Sequence, residues 1–183
     1  MKNKLDVKRL SLSAMFLALA YLMPFLTGQI PQIGAMLCPM HIPVIICGFV
    51  CGAPFGAAVG FIAPLLRSFT IGMPPVLTAS AMAFELCVYG FVSGMLYRIL
   101  PSKKVYVYVT LVVSMIAGRL VWGVVQFAFM GLFKTEFSLA AFWAGAVANA
   151  LPGIAVQLVL IPIVVIALEK FKLIPQKETV RSK

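Results

Sequence analysis

The 183-residue chain is 62% hydrophobic and only 11% charged, with a mean hydropathy of +1.06 and a formal net charge of +10. Soluble domains are about a quarter charged, and a chain this short cannot hide so much apolar surface in a core of its own. The composition therefore excludes a soluble globular protein and requires lipid as part of the solvent.

Lys2, Lys4, Lys8 and Arg9 lead into a first apolar segment, residues 10–26. It is long for the apolar part of a signal peptide, so it reads as a retained helix that Pro24 ends or kinks. Ser11, Ala14 and Ala18 make a stripe of small residues near its basic end. Residues 27–40 carry no charge but hold Gly28, Pro31, Gly34 and Pro39, the pattern of an apolar loop that folds back over the protein or dips into the membrane interface. The second segment, residues 41–52, is short for a full span and turns tightly into a third, residues 54–69. A loop at 71–75 leads to the fourth segment, residues 76–96, and a basic loop at 98–104 leads to the fifth, residues 105–129. A loop at 131–138 precedes the sixth segment, residues 139–168. The expected fold is an all-α bundle of six transmembrane helices in one domain, residues 1–172, with a basic tail at 173–183.

Charge sets the expected orientation. Lys2, Lys4, Lys8, Arg9, Arg98, Lys103, Lys104, Lys170, Lys172, Lys177, Arg181 and Lys183 flank the apolar runs on one side, twelve of the fifteen Lys and Arg residues. This is the positive-inside pattern and predicts both termini inside; it is not the footprint of a nucleic-acid binder. Gly52 with Gly56, Gly56 with Gly60, Gly90 with Gly94, and Ala144 with Ala148 are small residues one helical turn apart, the spacing that lets helices approach closely in lipid. Cys38, Cys47, Cys51 and Cys87 show no metal-ligand spacing and read as packing residues.

His41, Arg67, Glu85 and Arg119 interrupt the apolar runs. An intramembrane charge is expensive and ordinarily faces a cavity or a partner. At 1.5 Å per residue, Arg119 lies about 22 Å beyond Lys104, and Glu85 about 20 Å from Arg98. His41, Arg67 and Asn149 fall in the same half, away from the basic end, with Tyr89, Trp122 and Gln126 at similar depth. Such convergence reads as a solvated pocket open to the outside, with aromatic lining and a few polar anchors. Glu85 can pair with Arg119 or Arg67; two arginines against one glutamate would leave positive charge for an acidic solute.

Residues 12–20, with Ala14 and Ala18, and the stretch HIPVIICGFVCGAPFGAAVGFIAPLLRS at 41–68 resemble the helix-one AxxxA motif and the helix 2–3 hairpin of the substrate-binding S components of energy-coupling factor (ECF) transporters. The resemblance covers nearly the whole chain. It implies a multi-pass protein of a prokaryotic cytoplasmic membrane that binds a vitamin or related nutrient near the outer face, with the 27–40 loop as a lid. It also implies docking through Ala14 and Ala18 onto a membrane scaffold subunit driven by two ATPase subunits, and delivery by toppling in the membrane. No cofactor is expected in this chain; ATP belongs to the partners, and the chain carries no GxxxxGK[ST] motif. Excess arginine favours an acid, with pantothenate first and riboflavin and folate behind it. A self-sufficient channel or secondary transporter is the alternative; an intramembrane enzyme has little to work with, since the sequence holds one histidine and no hydrolase motif.

Overall fold

The computed structural model describes residues 2–27, 37–101, 103–133 and 151–171. Six helices carry nearly all of them: α1 Lys2–Leu22, α2 His41–Cys51, α3 Ala53–Ile71, α4 Val76–Ile99, α5 Lys104–Phe133 and α6 Leu151–Lys170. A 3-10 turn, Met23–Thr27, follows α1 and contains Pro24, whose missing N–H ends the α-helical ladder. The all-helical membrane bundle expected from composition is the fold observed. Among the described residues five helices are long and apolar enough to cross a bilayer; α2, at 11 residues, is not. It spans about 16 Å, half a membrane.

α2 can be short because it never meets lipid. Every one of its residues is buried, and it packs among α1, α3, α4 and α6. Backbone groups at its ends must then be satisfied by protein. The His41 N–H donates to the Cys38 carbonyl at 3.1 Å, and the Gly52 N–H to the Gly48 carbonyl at 3.0 Å. Arg98 Nη2 reaches the Cys51 carbonyl at 3.3 Å. Gly52 joins α2 to α3 with φ 98°, a left-handed conformation that favours glycine, and a Cβ there would lie 2.0 Å from the Arg98 guanidinium.

α3 and α4 meet almost backbone to backbone. A Cβ on Gly90 would lie 2.1 Å from the Gly56 carbonyl oxygen, one on Gly56 2.5 Å from that of Gly90, and one on Gly60 2.3 Å from that of Leu86. Gly94 closes the same seam against Ala53. The small-residue spacings of α3 and α4 thus face each other, and van der Waals contact over this seam holds the two helices together. At the far end of the pair, Gly72 caps α3 and the Ser68 hydroxyl donates to the Pro74 carbonyl at 2.8 Å, closing the turn.

Two contacts identify the basic end of the bundle. Arg98 lies on the α2–α3 turn, and the Tyr97 hydroxyl at the end of α4 donates to Glu169 at the end of α6. α5 also starts there, at Lys104. At the opposite end, Arg67 Nη1 donates to the Tyr21 carbonyl at 3.0 Å, tying α3 to the end of α1. α5 runs four residues past the expected limit of 129 to Phe133, a length of about 45 Å. Residues 28–36 of the expected lid, residues 139–150 at the expected start of the sixth segment with Ala144 and Ala148, and the 173–183 tail lie outside the described residues.

Candidate functional site

The closely packed α2–α3–α4 unit carries the centre of the site. His41 opens α2, and Glu85 and Tyr89 lie one turn apart on α4, so both α4 side chains project toward the first turn of α2. Glu85 is 1% exposed and His41 2%. Tyr89 donates its hydroxyl to Glu85 Oε1 at 3.1 Å. His41 Nε2 stands 3.5 Å from the same oxygen, and the imidazole meets the Tyr89 ring edge-on, centroids 5.2 Å apart.

α5 supplies the cation. Arg119 Nη1 lies 3.0 Å from Glu85 Oε1. The preceding residue, Gly118, makes the approach possible: a Cβ there would come within 2.7 Å of the Tyr89 ring. Arg119 Nη2 reaches Cys38 Sγ at 3.6 Å, a weak contact to the segment just before α2. The buried negative charge is therefore paired and hydrogen-bonded, as burial in a low-dielectric interior demands. Three groups do not close: Arg119 Nε and both ring nitrogens of His41 have no hydrogen-bond partner among the described residues.

Of the eight candidate ligand contacts, His41, Glu85, Tyr89 and Arg119 come together in this cluster. Arg67 does not join it. Besides its bond to Tyr21 it stacks on the Phe25 ring at 4.8 Å, and the Tyr21 hydroxyl bonds Thr70 at 3.0 Å. Arg67 is thus a tie between α1 and α3, and Glu85 pairs with Arg119. Trp122 and Gln126, three and seven residues beyond Arg119, share its face of α5 and are partly buried. Asn149 lies outside the described residues.

Two residues at the site are not among the candidate ligand contacts: Cys38, which reads from the sequence as a packing residue, and Gln157. Cys38 is a partner of Arg119 with a positive φ of 47°, for which the sequence offers no signal. Gln157 is 2% exposed on α6, and its Oε1 lacks a partner among the described residues. It lies about 20 Å from Lys170 at the basic end, the same depth as Glu85 and Arg119. The depth count that singles out the charges finds it as well, once neutral polar residues are included.

Ala14 and Ala18 are exposed on α1. They line a shallow, open, apolar groove of about 420 Å³ together with Leu17, Tyr21, Leu22, Leu66 and Thr70. Among the described residues no group of three or more His, Cys, Asp or Glu is placed to hold a metal ion.

A family model described as "ECF transporter, substrate-specific component" matches residues 8–165. No curated protein and no solved structure gives a match.

Proposed function

Because the chain belongs to the substrate-specific components of ECF transporters, we propose that it captures a small acidic nutrient, pantothenate foremost, from the outer side of a prokaryotic cytoplasmic membrane. Members of this family are the substrate-binding subunits of a transporter and not enzymes, and the family implies association with ECF scaffold and ATPase modules. The multi-pass bundle agrees with that placement.

One observation carries the acidic reading. Glu85 occupies Nη1 of Arg119, which leaves the edge formed by Nε and Nη2 with an Nε that has no partner among the described residues and one weak thiol contact. That edge is a planar fork of two parallel donors and matches a carboxylate in geometry and charge. Glu85 keeps the guanidinium aligned while the fork faces a ligand. Tyr89 and the face of Trp122 and Gln126 supply an aromatic and polar surround of the kind that orients a small molecule. Transport then follows the family's division of labour: this chain binds, Ala14 and Ala18 dock on the scaffold, and two ATPase subunits drive release inward.

The test is the thermal stability of the detergent-solubilised protein against a panel of vitamins, followed by uptake in cells that also hold the partner subunits. A ligand that binds only the folded state at a hundredfold excess over its Kd adds about 2.7 kcal/mol of stability. A shift with pantothenate or another carboxylate vitamin supports the reading. A shift only with a neutral or cationic vitamin refutes it. Ala14→Trp and Ala18→Trp should leave that shift intact and abolish uptake; unchanged uptake in both would remove the docking role.

A further inference from the structure

We propose that an acidic ligand enters this site together with one proton, and that His41 holds it. The inference rests on the acid-binding reading above and adds the charge that must accompany the ligand. Glu85 and Arg119 cancel each other. A ligand carboxylate on the Nε–Nη2 edge of Arg119 would set two carboxylates against one guanidinium. The result is a net negative charge some 16–22 Å from the basic end of the bundle, where uncompensated charge is strongly disfavoured.

His41 is the group placed to remove it. Its Nε2 lies 3.5 Å from Glu85 Oε1, and both ring nitrogens are buried without a hydrogen-bond partner among the described residues. A neutral imidazole has one N–H; an imidazolium has two. The charged ring can serve Glu85 with one N–H and present the other to the ligand. Histidine is also the side chain that ordinarily changes charge near neutral pH.

The other groups around His41 do not offer the same service. From α4 it meets Glu85 and Tyr89; beyond Glu85 stand Arg119 from α5 and, on Arg119, Cys38 from the segment ahead of α2. Tyr21 on α1 and Arg67 on α3 are tied to each other at that end of the bundle. α6 brings the neutral Gln157, and its charges, Glu169 and Lys170, lie at the basic end.

Calorimetry of the full chain in detergent with pantothenate tests this, in buffers of different ionisation enthalpy from about pH 6 to about pH 8.5. The ligand carboxylate stays ionised throughout that range, so any proton taken up belongs to the protein. The bound state holds one more proton than the free state, so affinity falls as pH rises. Kd should weaken toward about tenfold per pH unit in the upper part of the range, with one proton taken up per ligand. H41Q should flatten this dependence. E85Q should flatten it too, because the ligand then neutralises Arg119 alone. Pantothenate binding with no proton uptake and a flat profile overturns the proposal. So does a slope that survives in H41Q, which would place the proton elsewhere. The proton count in the unmodified chain needs no variant to fold. Absence of binding by pantothenate, biotin and folate alike would instead overturn the acid-binding reading on which the proposal stands.

Discussion

Arg119 meets Glu85 through Nη1 at 3.0 Å and turns its other edge, Nε and Nη2, away from that carboxylate. One guanidinium thus has a paired side and, on the reading proposed above, a side left for a ligand. The pair is worth little to stability in itself, since desolvation offsets much of the attraction between buried charges. Its value lies in fixing the direction of the remaining donors.

Replacement of Arg119 therefore acts twice. Arg119→Ala should weaken an acidic ligand by at least about 2 kcal/mol, as loss of one partner of a buried charge pair does. Arg119→Lys keeps the charge and loses the fork, so most of the affinity should still disappear. Calorimetry on the three proteins measures both, and equal affinity in the alanine variant would take Arg119 out of the site.

Arg67 is the contrasting case. Its bond to the Tyr21 carbonyl and its stacking on Phe25 make it a fastener of α1 to α3. Arg67→Ala should cost roughly 1.5–3 kcal/mol of stability, the usual worth of a hydrogen bond from a charged group. Ligand affinity should change less than about threefold, which is under 1 kcal/mol. A large loss of affinity with unchanged melting would return Arg67 to the binding site.

Gln157 separates a core residue from a contact. If its carbonyl oxygen serves the ligand, Gln157→Leu should weaken binding by about 1–2 kcal/mol and leave stability unchanged or raised, since a buried acceptor with no partner among the described residues is removed. Unaltered affinity assigns Gln157 to packing alone.

The glycine seam can be probed against an internal control. Gly90→Ala drives a methyl into the Gly56 carbonyl and should cost about 1–3 kcal/mol of stability or prevent folding. Gly131→Ala meets nothing within 4 Å in α5 and should be neutral or stabilise by up to about 1 kcal/mol. Equal melting of the two variants would show that the seam is looser than the distances imply.

Much of this arrangement is legible in the sequence because the helices run from end to end of the bundle. Counting residues from the basic ends then measures depth, and His41, Glu85 and Arg119 meet where the count puts them. Depth is only one coordinate, however. It places Arg67 at the same level and says nothing of its position around the bundle, so a fastener and a ligand contact look alike until α1 is seen beside α3. Gln157 escapes for a different reason: a neutral amide raises no alarm in a search for charges. The half-length of α2 is visible as a short apolar run, but its complete enclosure depends on neighbours distant in sequence.

That enclosure has a consequence for how a solute can leave. His41 heads a helix of eleven enclosed residues, about 16 Å of solid protein, joined through Gly52 to a seam where carbonyls touch glycine backbones. In plumbing terms α2 is a fixed floor beneath the His41–Glu85–Arg119 cluster, not a valve. No rotamer change at the floor opens a path, because the obstruction is main chain. A solute held above this floor, as proposed, would have to leave on the side from which it entered.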